Sequence, residues 1–284
     1  MSVIACASGK GGTGKTTVAT NLARLLSANA EVHLLDCDVE GPNDHLFFDF
    51  DPTEQEPVEV PLPKVDLERC DGCGVCSDAC TFNAISVLGE KVLVFPELCH
   101  SCGVCAYVCP RDAVSEEPRT IGVLTHASVG TMIFTGGELF PGEPLAPPII
   151  QAVKKTISPG NITLIDAAPG TSCPTVEAIH GADFCVLVTE PTAFGLGDLQ
   201  MAVGMGRRLG VPLGIVINRC NLGDDRVEAY CHEEALPILA RFPLDLDLAR
   251  CYARGALVVD HSEGWRDRFR QLGNAIKHGL KGGR

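Results

Sequence analysis

Apolar and polar positions follow two alternating patterns along the chain. Short β-branched runs at 3–7, 32–36, 121–125, 162–166, 184–189 and 213–218 are apolar almost throughout, which predicts strands buried on both faces. Between them, apolar residues at helical spacing predict helices over 15–27, 149–156, 175–180, 197–209 and 224–234. Strands of this kind separated by helices imply an α/β fold with a doubly wound, mainly parallel sheet. Near the end of the chain Trp265, Phe269, Leu272, Ile276 and Leu280 recur at helical spacing among arginines and lysines. A helix packed on the sheet and a membrane-surface helix both account for that stripe, and packing is the favoured reading.

Composition narrows the picture. A chain of 284 residues fits one α/β domain of about 200–250 residues with a small extra module. The formal charge of −13 argues against general binding to nucleic acid or an anionic membrane. Fifteen cysteines are present, with no signal-peptide pattern at the N-terminus. No apolar run approaches the roughly 20 residues that span a bilayer. The expectation is a cytoplasmic protein whose cysteines bind metal rather than form disulfides.

Cysteine density divides the chain. Residues 64–117 carry eight cysteines in two runs, bounded by Pro57, Pro61 and Pro63 on one side and Pro118 on the other. This punctuation reads as hinges around an insert, giving one discontinuous domain (1–62 and 118–284) and an inserted module (63–117). The insert repeats itself: Cys70-x2-Cys73-x2-Cys76-x3-Cys80 returns as Cys99-x2-Cys102-x2-Cys105-x3-Cys109, a shift of 29 residues from Cys70 to Cys99. Two related halves with a pseudo-twofold are the natural reading.

The segment Gly9-Lys10-Gly11-Gly12-Thr13-Gly14-Lys15-Thr16-Thr17 follows a predicted strand and opens a predicted helix. It matches the G-x-x-x-x-G-K-[ST] phosphate loop in the context that motif requires. Its glycines let backbone N–H groups curl around phosphate oxygens, and the helix N-terminus adds partial positive charge. Lys15 is expected to reach the β- and γ-phosphates, and the Thr16 hydroxyl to bind Mg²⁺.

The order KGGTGKTT, with its additional Lys10, resembles the deviant Walker A of the MinD/ParA/Mrp group of P-loop ATPases, which includes the nitrogenase iron protein. Asp36-Cys37-Asp38, leading to Pro42-Asn43, resembles that family's switch I motif. Asp166-Ala167-Ala168-Pro169-Gly170 resembles its Walker B and switch II segment, with Ala168 where a first proline is usual. The resemblance implies ATP and Mg²⁺ binding, with Asp38 positioning the attacking water. Thr16, Asp38 and Asp166 would serve the metal. It also implies a nucleotide-sandwich dimer, with itself or with a paralogous ATPase, in which Lys10 acts in trans. A surface lysine that only adds positive field remains the plainer reading of Lys10. Asn218, at the end of a late strand, matches the family's adenine-reading position, and Pro243 lies in a segment that resembles the loop beside the base.

A cubane cluster needs four soft thiolates converging on one point. The two cysteine runs resemble a bacterial two-cluster ferredoxin over residues 66–117, with Pro110 completing the usual ending and Thr81 in place of the first proline. That resemblance implies two [4Fe–4S] clusters, one on Cys70, Cys73, Cys76 and Cys109, the other on Cys99, Cys102, Cys105 and Cys80. Two zinc ribbons are the alternative, against which the uninterrupted three-cysteine loops argue. The other seven cysteines read as small packing residues; Cys173, following the Asp166 segment, is the one placed to face a partner.

The chain as a whole, from Met1 to about Arg254, resembles MinD-superfamily ATPases with an inserted ferredoxin domain. Three functions compete. One is a nucleotide-gated electron carrier with a redox partner protein, one an iron–sulfur scaffold or carrier of the Mrp type, and one a MinD-like spatial organiser. The absence of a CxxC after residue 109 weighs against the second.

Overall fold

The structure is a computed structural model that describes residues 2–50, 54–89 and 91–282. In chain order its strands are β1 (Ser2–Ala7), β2 (Val32–Cys37), β3 (Glu54–Val65), β4 (Ile85–Leu88), β5 (Lys91–Val94), β6 (Val114–Val129), β7 (Met132–Leu139), β8 (Ile162–Ala167), β9 (Phe184–Thr189), β10 (Leu213–Asn218) and β11 (Ile238–Phe242). The helices are α1 (Lys15–Ser27), α2 (Val75–Ala79), α3 (Val104–Tyr107), α4 (Ala146–Lys155), α5 (Cys173–Ile179), α6 (Ala193–Arg208), α7 (Arg226–Glu233), α8 (Leu246–Ala253), α9 (Val258–His261) and α10 (Glu263–Gly282).

Nine strands form one sheet in the order β11-β10-β9-β1-β8-β2-β7-β6-β3. From β11 to β7 every neighbouring pair is parallel; β6 and β3 continue the sheet antiparallel. Alternation along each parallel strand feeds two cores. Val3, Ala5 and Ala7 face the layer of α4, α5, α6 and α7, while Ile4 and Cys6 face that of α1, α9 and α10. The sheet is therefore covered on both faces, which is why its strands read as unbroken apolar runs. Trp265, Phe269, Leu272 and Ile276 are buried in the second core with Leu280 packed at its margin, so the C-terminal stripe packs on the sheet. No helix among the described residues is long and apolar enough to cross a membrane.

Topology puts the chemistry at one edge. The C-terminal ends of β1, β2 and β8 lie side by side, with Cys6 opposite Asp166 and Asp36 opposite Asp166 in the ladders. Side chains at these ends face the crevice where parallel sheets bind ligands.

The prolines around the cysteine-rich segment play a different part from the hinges expected. Pro57, Pro61 and Pro63 lie inside β3, and Pro118 lies inside β6 opposite Pro61. β3 is the sheet's outer strand and pairs on one side only, where a missing N–H is tolerated. The two strands run unbroken through residues 62–63 and 117–118 and form a paired arm ending at Val65 and Val114. Beyond it a small unit holds α2, α3 and the β4–β5 hairpin. Its internal repeat is visible in the backbone. Gly74 and Gly103 precede α2 and α3 at φ 80° and 73°, and Asn83 and Asp112 both take positive φ.

His33 on β2 is buried, with Nε2 3.0 Å from Thr135 Oγ1. Burial, reinforced by His126, pushes its pKa down to about 4. A histidine with a depressed native pKa contributes stability that is complete above the unfolded value near 6.5 and lost as pH falls toward the native one. The stability difference between wild type and His33→Gln, read from urea midpoints, is expected to shrink by up to about 3 kcal/mol between pH ~6.5 and ~4. A pH-independent difference would contradict this.

Candidate functional site

The loop between β1 and α1 wraps the head of the helix. Gly14 caps α1 at φ 99°, and a Cβ there would meet Asn218 Nδ2 at 2.4 Å, so only glycine fits. Gly9 is pressed against α6, where a Cβ would lie 2.3 Å from the Asp198 carbonyl oxygen. The loop borders a cavity of about 390 Å³ lined by Gly11, Gly12, Gly14, Lys15, Thr16 and Thr17, with Asp38, Asn218 and Pro243 across it. This volume suits a nucleotide-sized ligand.

At the cavity floor Lys15 Nζ donates to Asp166 Oδ1 at 2.8 Å, and Thr16 Oγ1 donates to Asp166 Oδ2 at 2.6 Å. Asp38 Oδ2 lies 3.7 Å from the same ammonium. Burial alone would lower the Lys15 pKa, but Asp166 and then Asp38 outweigh it and hold the ammonium above its ordinary range. Thr16, Asp166 and Asp38 offer oxygen ligands only, the donor chemistry that fits Mg²⁺.

Asp36 organises the loop after β2. Its buried carboxylate accepts from the backbone N–H groups of Asp38 (3.1 Å), Asn43 (2.9 Å) and Asp44 (3.0 Å). Burial first, then the charge of Asp166, pushes its pKa up to about 7, against the pull of those N–H donors. Asp38 is raised by burial too, with Lys15 opposing.

Several expected residues stand elsewhere than the motif alone suggests. Lys10 lies 3.8 Å from Glu190 and 3.9 Å from Asp198 of its own chain. Thr13 is buried and its carbonyl accepts from Asn218 Nδ2 at 2.7 Å, while Asn218 Oδ1 accepts from the Arg219 N–H. The Asn218 amide is thus engaged with the phosphate loop although it lines the cavity. Sequence reasoning missed the wall formed by Leu248, Ala249 and Tyr252 of α8, a short helix capped by Asp245, whose side chain accepts from the N–H groups of Asp247 and Leu248. It also missed Asp44, which is fully buried with neither carboxylate oxygen hydrogen-bonded among the described residues. Its position directly after Pro42-Asn43 was the one available signal.

In the small unit, Cys70, Cys73, Cys76 and Cys109 line one cavity and Cys80, Cys99, Cys102 and Cys105 line another. Backbone N–H groups point at sulfur in each: Ala113 to Cys109 Sγ and Ala84 to Cys80 Sγ, both at 3.3 Å, and Ser101 to Cys99 Sγ at 3.4 Å. Among the described residues, no three His, Cys, Asp or Glu side chains are close enough to share a single metal ion. Four thiols lining each cavity are the soft donor chemistry that an iron–sulfur cluster takes. Of the other seven cysteines, Cys6, Cys37, Cys185 and Cys231 are buried, Cys220 and Cys251 are partly buried and Cys173 is exposed.

Residues 4–258 match the family described as the CobQ/CobB/MinD/ParA nucleotide binding domain. An uncharacterized protein of Methanocaldococcus jannaschii is 31% identical over 277 residues, covering 96% of each chain. An iron-sulfur cluster carrier protein of Aquifex aeolicus is 25% identical over 288 residues, covering 92% of this chain and 63% of that one. Among solved structures, the cell division ATPase MinD of Pyrococcus furiosus superposes with a TM-score of 0.60 at 20% identity, covering 98% of both chains. The septum site-determining protein MinD of Pyrococcus horikoshii, solved with Mg-ADP, gives 0.60 at 19%, covering 97% of this chain and 95% of that one.

The crowding of Asp36, Asp44 and Asp166 has a measurable consequence. Asp44 is pushed well above the carboxylate range by burial, then by Asp36 and Asp166. Carboxyls with raised native pKa values stabilise the fold at low pH and withdraw that stability as pH rises from about 4. Nucleotide-free Asp44→Asn is expected to melt at a higher temperature than wild type at pH ~8, with the gain vanishing toward pH ~4. A lower melting temperature at pH ~8 would show that the carboxylate is paired.

Proposed function

The chain belongs to the CobQ/CobB/MinD/ParA nucleotide-binding family, and from that premise we propose that it is a Mg²⁺-dependent ATPase whose nucleotide state governs two [4Fe–4S] clusters held by the small unit. Assignment to the family of P-loop ATPases rests on the matched profile and the fold. The finer reading rests chiefly on one observation, that each of two cavities is lined by four cysteines.

In this reading Lys15 neutralises the β- and γ-phosphates, and Thr16 and Asp166 hold Mg²⁺, which supplies charge stabilisation when bound. Asp38 orients the attacking water. Lys10 leaves Glu190 and Asp198 for the phosphates of a second subunit in a homodimer or a heterodimer with a paralogous ATPase. Asn218 and Pro243 border the base. Cys70, Cys73, Cys76 and Cys109 hold one cluster, and Cys80, Cys99, Cys102 and Cys105 the other.

A continuous backbone path supports coupling between the two halves. The Leu139 N–H donates to the Val39 carbonyl, next to Asp38, at 2.8 Å, and the Phe140 N–H donates to the Ile121 carbonyl at 2.9 Å. Ile121 belongs to β6, the strand that begins at the cysteine unit. A shift of the Asp38 loop on hydrolysis would move the strand that carries the clusters. Electron transfer to a redox partner, or docking of that partner, is the step so gated.

A second reading, cluster delivery, is favoured by the names of relatives such as the Aquifex aeolicus carrier and a cytosolic Fe-S cluster assembly factor NUBP1 homolog of Brugia malayi, 25% identical over 297 residues. Retention of clusters in the presence of an apo-ferredoxin acceptor separates it from the first.

Anaerobically purified protein is expected to carry about eight iron atoms per chain. Lys15→Ala abolishes ATP hydrolysis, and Lys10→Ala lowers it at least ~10²-fold while leaving ATP affinity within a few-fold. Full turnover by Lys10→Ala would remove the dimer from the mechanism, and iron-free protein after anaerobic reconstitution would remove the clusters.

A further inference from the structure

The two cysteine cavities differ in the side chains laid beside them. The 29-residue register that relates Cys70 to Cys99 also relates Asp71 to His100 and Phe82 to Arg111. At the first cavity Arg111 Nε donates to Asp71 Oδ2 at 2.8 Å, and both residues join Cys70, Cys73, Cys76 and Cys109 in its wall. At the second, Phe82 stacks on His100 with ring centroids 3.6 Å apart and planes 9° from parallel, and both join Cys80, Cys99, Cys102 and Cys105. Equivalent positions therefore carry an ion pair at one site and an aromatic stack at the other. The rest of the local frame is repeated, down to the 3.3 Å contacts of Ala84 and Ala113 with sulfur.

The sites also differ in place. The stack's cavity is bordered by Pro61, Pro63 and Glu116, further along the arm toward the main sheet. The ion pair's cavity is bordered by Val65 and Val114, where the paired strands end.

Resting on the cluster reading above, we propose that these two residue pairs set the order in which the sites take up electrons. The Asp71–Arg111 site at the arm's tip fills first, and the Phe82–His100 site beside the sheet fills second, at lower potential. Four thiolates outweigh a cubane core of about 2+, so each added electron deepens a negative charge. A negative charge is stabilised by water and N–H donors and disfavoured where apolar surface displaces them. Arg111 and Asp71 have side chains 61% and 39% exposed, which leaves a wet, polar mouth with guanidinium donors. At the other site Phe82, itself 40% exposed, stacks on the exposed His100, so that π-faces stand where the first site has a guanidinium and a carboxylate. Each step is a one-electron transfer from an external one-electron donor, which is oxidised by one as the site is reduced by one. No bond forms or breaks. Electrons then pass between the sheet-side site and the tip without a proton.

The test is a potentiometric titration of the full-length, anaerobically purified protein with dithionite, followed by low-temperature EPR. Iron and sulfide are measured on every sample. Wild type is expected to show two separate midpoints. Phe82→Ala and, independently, His100→Asn shift only the lower midpoint upward, and Arg111→Ala shifts only the upper one downward. Coincident midpoints in wild type, a lower midpoint unmoved in Phe82→Ala and His100→Asn, or movement of the upper midpoint in either, would overturn the ordering while leaving the clusters in place. Wild type without iron would instead overturn the cluster reading itself.

Discussion

One buried charge pair fixes the geometry of the phosphate site. Lys15 opens α1, Asp166 closes β8, and their 2.8 Å contact ties helix to sheet. Removing either partner would strand a charge away from water, at a cost of about 3–5 kcal/mol. Thr16 shares the same carboxylate, so the first turn of α1 is held at two adjacent residues. Asn218 adds a tie from β10 to the loop carbonyl of Thr13. The cradle is thus anchored to strands on both sides of β1, with Gly11, Gly12 and Gly14 bordering the cavity.

The same pair explains the arrangement of acids around it. The Asp166 oxygens accept from Lys15 and Thr16, those of Asp36 accept from backbone N–H groups, and the Asp44 carboxylate has no hydrogen-bond partner among the described residues. A loop held by a single carboxylate next to two others sits close to electrostatic balance. Binding of a cation beside Asp38 and Asp166 would relieve the repulsion that burial builds up. The loop after β2 is therefore a natural place for ligand state to alter backbone position, and Val39 passes that position to β7 through one hydrogen bond.

Much of this was legible in the residues. The six apolar runs all became strands: five lie in the parallel part of the sheet, where burial on both faces leaves no room for polar alternation, and the sixth, 121–125, lies in the antiparallel β6. The loop glycines were expected to let the backbone curl, and Gly12 and Gly14 take positive φ. What escaped was set by tertiary context. β3 is dense in proline and glutamate because it is an outer strand, paired on one side and wet on the other, so it carries no strand signature. β7 includes Gly136 and Gly137, where a Cβ would strike Phe134 and Ile149; close packing, not propensity, dictates them. Asn218 was recognised by its place at the end of a strand, but its hydrogen bond to a loop 205 residues away has no local trace. The partner positions 71/111 and 82/100 were visible as sequence, yet only the fold brings each pair into contact.

The small unit poses a question of stability that its size answers. Among its described residues between the arm's ends, only Ala84, Ile85, Cys99 and Ala113 are buried hydrophobics. A core of that extent falls far short of offsetting the ordering of some fifty residues, and chains of this length usually need a covalent or metal cross-link. Disulfides do not supply it, since all eight cysteines are free. The twelve-residue pairing of β3 with β6 supplies part, by fixing both ends of the segment against one another. On the cluster reading, thiolate ligation would supply the rest, its binding free energy being itself folding free energy. On the cluster reading, the metal and the arm share the work. The ladder sets where the unit points, and eight sulfur bonds set its interior, so loss of a cluster would loosen the unit while leaving the sheet and the phosphate site folded.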